Sequence, residues 1–508
     1  MPNPKDQLFN ADHLKIGMKE RAVKSAGITL AAQGIKLFLQ LGSMAILARL
    51  LQPSDFGLIA MVTVFTGLAL QFMEGGLSMA TIQRDQITHA QVSNLFWVNS
   101  ALGTVLCLLG ILISPLVATI YDEPRLTLVM AAMSLTFLIG GLSVQHDALL
   151  RRQMRFKAIS VIDIVSMAAG ISAGIAAALG GLEYWALVIS PIATFATKTV
   201  MRWLSARWMP SMISRGSGVR PLLGFGANLT GANFIGYLAS NLTPFSVGYF
   251  GGPQVLGFFN RATTLSSLPS GQLLAPLMSV MQPALARVSG DPPRFRRTIC
   301  SFMGKLVLIT MFVTIVMGVL ADWIVQIFLG NNWSSAVPIF RMLAAFSLVE
   351  PIANFIVVCM VVKGEAKALL RWKLITLSVL TISIGVGSFW GAFGVVVAYS
   401  LSGVFIRLPF FLLYSSKYLP VTFGEFYRVL LPFWFCAVAT VGASFALRTL
   451  LNIENALVGI VLFVPSILVI YLLVCSLIRP TRDEVFELFS LFRNFFLKRV
   501  CSHAVPKK

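Results

Sequence analysis

The chain has 508 residues, of which 57 % are hydrophobic and only 12 % are charged. No soluble core needs so large an apolar fraction, so the composition excludes a soluble globular protein and predicts a chain that crosses a membrane many times. The formal net charge of +20 is compatible with a nucleic-acid partner or with basic membrane loops, and the positions of the basic residues decide between them. The six cysteines lie far apart, without a CxxC motif or a histidine cluster, so neither a disulfide framework nor a metal site is predicted.

Fourteen apolar segments of transmembrane length follow one another along the chain. They lie near residues 25–48, 56–80, 94–119, 126–147, 158–179, 184–206, 222–247, 256–286, 299–328, 336–361, 369–389, 392–415, 427–447 and 456–478. With the N-terminus inside, the terminal segments and inner connections, together with their flanking residues, contain 34 of the 40 lysines and arginines, and the outer connections contain three. Because cytoplasmic connections carry the basic excess, both termini are predicted in the cytoplasm. The charge is thus a signal of topology that also favours membrane lipids of the anionic inner leaflet, and nucleic acid is not predicted as a partner.

The two halves of the chain share a faint repeat. Pro53 to Leu58 (PSDFGL) recurs as Pro253 to Phe258 (PQVLGF), and Met130 to Leu135 recurs in the same order as Leu343 to Leu348. Each half contains six spans, an even number, so both halves have the same orientation, as in transporters that bind substrate between parallel repeats. The predicted fold is an all-α polytopic membrane protein with two six-helix lobes in a parallel pseudo-two-fold repeat and two extra C-terminal helices.

This organisation predicts six segments along the chain. They are a cytoplasmic N-terminal segment at 1–24, an N-lobe at 25–206, an inter-lobe cytoplasmic linker at 207–221, a C-lobe at 222–415, two further spans at 427–478 and a cytoplasmic tail at 479–508. In the tail, apolar residues such as Phe486 and Leu488 stand among arginines and lysines. That pattern predicts an amphipathic helix on the inner membrane surface, with a partly frayed tail as the alternative.

Polar side chains form one stripe in the first predicted span and a second stripe in its repeat partner, the seventh span. The first stripe has helical spacing on one face and consists of Gln33, Lys36 and Gln40, with Ser43 one turn further on. The second has the same spacing and consists of Thr230, Asn233, Tyr237 and Asn241. Two equivalent polar faces predict helices that line a common aqueous cavity. Hydrogen bonding between helices in a dry bundle is the alternative.

Three cations lie at membrane depth, namely Lys36, Arg261 and Arg341. A cation at the centre of a spanning helix costs roughly 2.5–3.5 kcal/mol on insertion scales, so each needs a reason to be there. The functional interpretation is that they bind an anionic headgroup, which an ammonium holds as a point charge. The alternatives are that the two arginines reach the outer headgroups, and that Lys36 pairs with Glu74.

Three acids also lie within predicted spans, namely Glu74, Asp163 and Glu350. They could bind a coupling proton or cation, or neutralise the cations. No outer connection exceeds about ten residues, and the outer carboxylates are scattered, so the chain does not resemble a membrane enzyme with a catalytic outer loop. No phosphate-binding loop of the Walker type occurs, and no cofactor is predicted.

Two sequence motifs resemble a known family. The run from Ile46 to Leu58 resembles the first outer turn of bacterial polysaccharide flippases, and Leu149 to Ala158 (LLRRQMRFKA) resembles their inner loop between spans 4 and 5. With a weaker match at Gly181 to Val188, they indicate the lipopolysaccharide/exopolysaccharide flippase branch of the multidrug/oligosaccharidyl-lipid/polysaccharide exporter superfamily.

The resemblance implies two lobes around a central cavity lined by the first and seventh spans. It also implies flipping of polyprenyl-pyrophosphate-linked oligosaccharide repeat units across the bacterial cytoplasmic membrane by alternating access, with cations in the cavity that hold the pyrophosphate. Partners would include the lipid-linked oligosaccharide, membrane lipids and a polysaccharide polymerase or export machinery. Two other functions stay open, a cation-coupled multidrug exporter of the same fold and a membrane glycosyltransferase or polymerase. The sequence alone also leaves open the glycan, the lipid carrier, the coupling ion and the oligomeric state.

Overall fold

Every regular secondary-structure element in the described part of the chain is a helix. The computed structural model describes residues 9, 18–74, 78, 81–82, 84, 87–214, 220–488 and 490, and for 18–26, 74, 220–233, 235, 270–276 and 279–280 it describes the backbone. In the first half, the helices with described bounds are α1 Met18–Leu50, α2 Pro53–Glu74, α3 His89–Tyr121, α4 Arg125–Gly141, α5 Val144–Arg152, α6 Phe156–Leu179 and α7 Trp185–Ala206. The all-α prediction is confirmed.

The second half of the chain begins with α8, which spans Arg220–Val288 and is broken at Gly252. The φ of 68° and ψ of −174° at Gly252 suit a residue without a side chain, and the break separates the predicted spans at 222–247 and 256–286. The helices that follow are α9 Pro292–Val319, α10 Ala321–Phe328, α11 Ala336–Phe346, α12 Val349–Val362, α13 Ala366–Ser388, α14 Gly391–Leu401, α15 Leu408–Ser415, α16 Phe423–Leu451 and α17 Ala456–Leu477. A π-helical turn at Ser402–Arg407 joins α14 to α15.

Several helices begin or end with sequence signals for capping. Thr88 caps α3 in a capping box, in which its hydroxyl accepts from the Gln91 amide and the Gln91 side chain accepts from the Thr88 amide. α3 ends at Asp122 in the left-handed conformation. Asp291 accepts from the Arg294 amide at the start of α9. These caps fix the ends of long apolar helices whose sequences do not otherwise mark a boundary.

The protein is a multi-pass membrane protein. In the described ranges, ten helical segments are long and apolar enough to cross a membrane, or eleven when α4 and α5, bent by 42° at a short break, form one span. The predicted number of fourteen spans and the two-lobe repeat stay predictions. Residues 479–488 of the predicted tail are helical, and 491–508 lie outside the described residues.

The chain forms two compact units. The N-terminal unit comprises residues 1–260 and 328–332, and the C-terminal unit comprises 261–327 and 333–508. The C-terminal unit contains one large apolar core around Phe295, Phe355 and Phe426. In the N-terminal unit, apolar clusters surround Phe96 and Phe137, and Leu58, Met61 and Val129 are also fully buried. The domain boundaries predicted from the sequence stay predictions.

The two copies of the repeated motif contact each other within the N-terminal unit. A side-chain carbon on Gly57 would overlap the carbonyl oxygen of Pro253, and one on Gly257 would overlap the carbonyl oxygen of Pro53. Each glycine is therefore needed for the backbones to approach closely at these two equivalent positions. The contact is reciprocal, glycine of one copy against proline of the other, so the repeated residues meet in the folded chain.

Candidate functional site

The stripe on α1 places Lys36 next to a carboxylate of α6. Its Nζ lies 3.1 Å from Oδ2 of Asp163, and α1 packs along α6. The neighbouring stripe residues Gln33 and Gln40 are exposed. Glu74, the partner considered from the sequence, has a side chain outside the described residues. The structure thus gives Lys36 a counter-charge, and it is Asp163.

Asp163 also binds a second lysine. Nζ of Lys198, on α7, lies 3.1 Å from Oδ1 of Asp163, so each carboxylate oxygen has its own ammonium. The side chains of Lys36, Asp163 and Lys198 are 38 %, 21 % and 30 % exposed, so the network is partly open. Charged side chains within spanning helices pair with one another and mark substrate or ion pathways.

Glycines on α6 bring the helices of this network together. A side-chain carbon on Gly170 would overlap the Thr194 hydroxyl of α7, and one on Gly174 would lie 2.9 Å from Cβ of Ser190. Small residues of this kind let helix backbones approach closely within a membrane. The close packing of α6 on α7 sets the positions of Asp163 and Lys198 relative to each other.

The stripe on α8 is engaged in a different way. The hydroxyl of Tyr237 donates to the carbonyl oxygens of Thr63 and Val64 on α2, at 3.0 and 2.9 Å. Nδ2 of Asn241 donates to the carbonyl of Tyr237 on its own helix, at 3.0 Å. At Tyr237 the structure therefore favours hydrogen bonding between helices over a free cavity wall. The side chains of Thr230 and Asn233 lie outside the described residues.

The other predicted site residues, Arg261, Arg341 and Glu350, belong to the C-terminal unit. Arg261 is on α8 after the break, and Glu350 is exposed on α12. Nη2 of Arg341 is 3.7 Å from Oδ1 of Asp322, the same oxygen that accepts from Arg448 at 2.8 Å. Arg341 therefore lies beside the ion pair between Asp322, at the start of α10, and Arg448, near the end of α16.

A second ion network lies at the end of α7. Nη2 of Arg202 is 2.9 Å from Oδ1 of Asp147, and Nε of Arg151 is 2.7 Å from Oδ2 of the same aspartate. Nη1 of Arg202 also donates to the Ser143 hydroxyl at 3.2 Å. Asp147, Arg151, Lys198 and Arg202 line a cavity of about 540 Å³, together with apolar residues that include Met73 and Phe195. We name it the basic cavity.

A sequence profile of the polysaccharide biosynthesis protein family matches residues 46–338, more than half of the chain. The chain belongs to this family. The lipopolysaccharide biosynthesis protein WzxC of Escherichia coli (strain K12) is 25 % identical over 448 residues, which cover 86 % of this chain and 89 % of WzxC. The succinoglycan biosynthesis transport protein ExoT of Rhizobium meliloti (strain 1021) is 24 % identical over 353 residues, which cover 68 % of this chain and 70 % of ExoT.

A solved structure has the same fold as this member of the polysaccharide biosynthesis protein family. The lipid II flippase MurJ, in an inward closed conformation, matches with a TM-score of 0.70 at 13 % identity, over 90 % of this chain and 98 % of MurJ. At this identity the likeness shows the fold. The resemblance drawn from the motifs at 46–58 and 149–158 is confirmed, since both motifs lie within the matched region.

Sequence reasoning missed Lys198 and Arg202 as candidate site residues of this family member. Both were counted with the basic residues that set the topology. They stand four residues apart, on one face of α7 and within the predicted span at 184–206. That spacing is a usable signal, because a basic residue that only marks the cytoplasmic side has no need to lie inside a span or to share a helix face with another.

Proposed function

We propose that this protein flips polyprenyl-diphosphate-linked oligosaccharide repeat units from the inner to the outer leaflet of the bacterial cytoplasmic membrane. The units would serve exopolysaccharide or lipopolysaccharide biosynthesis. The protein works as a transporter by alternating access and not as an enzyme, and both of its termini are cytoplasmic. A polysaccharide polymerase or export machinery would receive the units on the outer side.

Family membership supports the substrate class. The relatives are named for lipopolysaccharide biosynthesis and for succinoglycan biosynthesis and transport, and the fold neighbour is named as a flippase of lipid II, a lipid-borne substrate. The chain spans 89 % of WzxC, so the comparison concerns nearly the whole protein. The names of both relatives refer to polysaccharide biosynthesis, that of ExoT also refers to transport, and that of MurJ refers to flipping of a lipid; flipping of a lipid-linked glycan is consistent with all three.

The observation that carries the proposal is the network of Lys36, Asp163 and Lys198 inside the N-terminal unit. A sugar hydroxyl moved from water into hydrocarbon without a partner costs roughly 4–8 kcal/mol, so an oligosaccharide needs a polar path. Its diphosphate needs cations along that path, while its lipid tail stays in the bilayer. Two ammonium groups that share one carboxylate on neighbouring helices supply both features.

The membrane potential helps this direction of transport. An inside-negative potential favours outward movement of negative charge by about 2.3 kcal/mol per charge per 100 mV. The protein therefore has to lower the barrier for the headgroup, and the potential supplies part of the driving force. Coupling of an ion through Asp163, Glu74 or Glu350 would add to it.

The test measures the leaflet distribution of lipid-linked glycan in cells in which the gene is deleted and then restored. Deletion is expected to accumulate complete repeat units on the cytoplasmic face. The wild-type gene is expected to reverse the accumulation, and Lys36→Ala is not. Lys417→Ala removes an exposed lysine outside the network and should behave like the wild type.

A double variant separates two roles of Lys36. If Lys36 only neutralises Asp163, then adding Asp163→Asn to Lys36→Ala restores export. If Lys36 binds the headgroup, the double variant stays inactive. Outer-leaflet units that form normally but fail to polymerise would overturn the proposal in favour of a polymerase. A deletion without any effect on glycan would overturn it in favour of a multidrug exporter.

A further inference from the structure

A segment without regular secondary structure follows α7. The helix, whose Lys198 and Arg202 line the basic cavity, ends at Ala206, and residues 207–214 lie outside any helix. We name residues 207–214 the linker segment, because they begin the predicted connection between the two lobes. The distribution of basic residues predicts this connection on the cytoplasmic side of the membrane.

Side chains of α3 hold the backbone of the linker segment. Oδ1 of Asn94 accepts from the Ser214 amide at 3.0 Å, and Nδ2 of Asn94 donates to the Ser214 carbonyl at 2.7 Å. Oγ of Ser93 accepts from the Ser211 amide at 3.0 Å, and Nε1 of Trp97 donates to the Ser211 carbonyl at 2.9 Å. Both backbone polar groups of each serine are therefore bound by α3, which fixes the segment to the helix.

This attachment leaves large apolar side chains of the linker segment uncovered. Met209, Met212 and Ile213 are 72 %, 85 % and 69 % exposed, whereas Trp208 is buried. Three such side chains so close together form an apolar patch, and exposed apolar patches mark contacts with a membrane or with another molecule.

The face of α3 to which the segment is attached indicates a lipid partner. Trp97 is exposed, and exposed apolar side chains continue from it along α3 at helical spacing, namely Val105, Leu108, Leu112 and Leu116. Because α3 is long and apolar enough to span a membrane, this exposed row contacts acyl chains. The linker segment lies at the end of the row, where acyl chains give way to headgroups and where tryptophan is common.

We propose that the linker segment is a membrane-surface anchor, in which Met209, Met212 and Ile213 insert at the boundary between the headgroups and the acyl chains of the inner leaflet, with a preference for anionic lipid. This inference does not rest on the proposed function. It rests on the contacts of the segment with α3 and on the predicted cytoplasmic side.

The charge around the linker segment accounts for the preference for anionic lipid. Arg207, the first residue of the segment, is exposed, and the sequence has no aspartate or glutamate between Glu183 and Asp291. Basic side chains near the membrane surface attract the anionic lipids of the inner leaflet. The flexible thioether side chains of Met209 and Met212 adapt to an irregular apolar surface such as the acyl boundary. The segment thus matches a lipid surface in both polarity and charge.

The experiment measures the membrane depth of a nitroxide spin label at residue 212 in the purified full-length protein in nanodiscs. Cys300 and Cys501 are replaced by serine, since the other four cysteines are buried, and Met212→Cys receives the label. Power-saturation EPR compares collisions of the label with oxygen, which concentrates in the bilayer, and with a water-soluble nickel chelate. We expect the ratio of oxygen to nickel accessibility to be at least threefold higher at residue 212 than at a water-exposed position.

Two control positions define the ends of this scale. Lys417→Cys places the label at an exposed position in a predicted cytoplasmic connection, and Leu112→Cys places it in the exposed row of α3. A ratio at residue 212 equal to that at residue 417 would overturn the inference. Met209→Cys provides a second position in the segment, and thermal unfolding of each labelled protein checks that it is folded.

A variant of α3 tests the attachment of the segment. Asn94→Ala removes both hydrogen bonds to Ser214, so the label at residue 212 should become more mobile and its accessibility ratio should change at least twofold. The matched control on the same helix is Thr104→Ala, because the Thr104 hydroxyl binds the carbonyl of Ser100 in its own helix. An unchanged label in Asn94→Ala, or an equal change in Thr104→Ala, would overturn a segment held in place by α3.

Lipid composition tests the partner. Nanodiscs with phosphatidylglycerol should place the label at residue 212 deeper than purely zwitterionic nanodiscs, and Arg207→Gln should reduce this difference. Equal depth in the two lipids would overturn the preference for anionic lipid. A label that is exposed to water in nanodiscs but shielded from both reagents in native membrane vesicles would overturn the lipid partner in favour of a protein.

The leaflet assay separates this inference from the proposed function. If the gene restores glycan export while the label at residue 212 is exposed to water, the anchor is wrong and the flippase stands. If the gene does not restore export while the label lies at the membrane boundary, the flippase is wrong and the anchor stands.

Discussion

The two units place their charges differently. In the N-terminal unit, Lys36, Asp163 and Lys198 pair inside three long helices. In the C-terminal unit, the ion pairs among described residues lie near helix ends or involve the segment that follows α17, as in the pairs of Asp322 and of Lys305. The C-terminal unit contains a large apolar core around Phe295, Phe355 and Phe426.

This difference indicates a division of labour. Replacing a buried ion pair by apolar residues is often neutral or stabilising, so internal ion pairs are weak evidence for a stabilising role. The N-terminal unit keeps them inside spanning helices, which is expected of residues that serve transport. The C-terminal unit is better described as a scaffold. Apolar packing stabilises it, and its described ion pairs connect the ends of helices.

The largest expected effect is that of Asp163→Asn. This change leaves Lys36 and Lys198 without the carboxylate that both of them bind, so we expect export of the glycan to fall at least tenfold. Breaking a buried ion pair costs about 3–5 kcal/mol, and solvent around these partly exposed side chains should reduce the loss of unfolding free energy to about 1–3 kcal/mol. Leaflet distribution and thermal unfolding measure the two effects.

The matched control is Asp483→Asn, which changes an aspartate whose side chain is 75 % exposed. It should leave export and stability near the wild-type values. If Asp163→Asn exported glycan at the wild-type rate, the network of Lys36, Asp163 and Lys198 would have no role in transport. The proposed difference in function between the two units would then be wrong.

A smaller effect is expected for Asp322→Asn in the C-terminal unit. Arg448 loses its ion pair but keeps a hydrogen bond of 2.8 Å to the Val319 carbonyl and its position 4.0 Å above the ring of Trp323. We expect a loss of about 1 kcal/mol in unfolding free energy with export unchanged, because these charges fasten helix ends. Thermal unfolding checks the first part. A loss of export without a loss of stability would contradict the scaffold role.

Much of the fold could be predicted from the sequence because the signals are local. Apolar length and the distribution of basic residues depend only on neighbours along the chain, so the membrane class and the helical fold followed from them. The repeated Pro53 and Pro253 motifs predicted two similar halves, whereas the contact of Gly57 and Gly257 with the opposite copy was not predicted.

The candidate site could be predicted only in part. Lys36 drew attention because a lysine in the middle of a span is costly, but its partner Asp163 is 127 residues away, and no local pattern joins the two. Lys198 and Arg202 looked like topology signals because their carboxylates lie on other helices. Tyr237 has helical stripe spacing, yet its hydroxyl binds the α2 backbone, which only the packing of the helices could reveal.

The smallest expected effect concerns Glu484, which follows α17 in the C-terminal unit. Burial raises the pKa of its carboxyl above the ordinary value of 4.5, while Lys305, 3.3 Å away, opposes the rise and the nearby Glu487 and Asp483 add to it. Since the folded state holds this proton more tightly than the unfolded state, the stabilisation is complete below pH 4.5 and is lost as the pH rises through the folded-state pKa. Glu484→Gln should remove this decline in unfolding free energy. The decline in the wild type should be less than about 1 kcal/mol, because Lys305 also has an ion pair with Glu487 at 2.7 Å.

Thermal unfolding of the wild type and of Glu484→Gln across this pH range measures that decline, with exposed Glu454→Gln as the control. Export should be the same in all three proteins, because Glu484 belongs to the C-terminal unit and not to the network of Lys36, Asp163 and Lys198. If Glu484→Gln instead changed export while the wild-type pH slope remained, this segment would belong to the transport machinery, and the C-terminal unit would no longer be a passive partner of the N-terminal one.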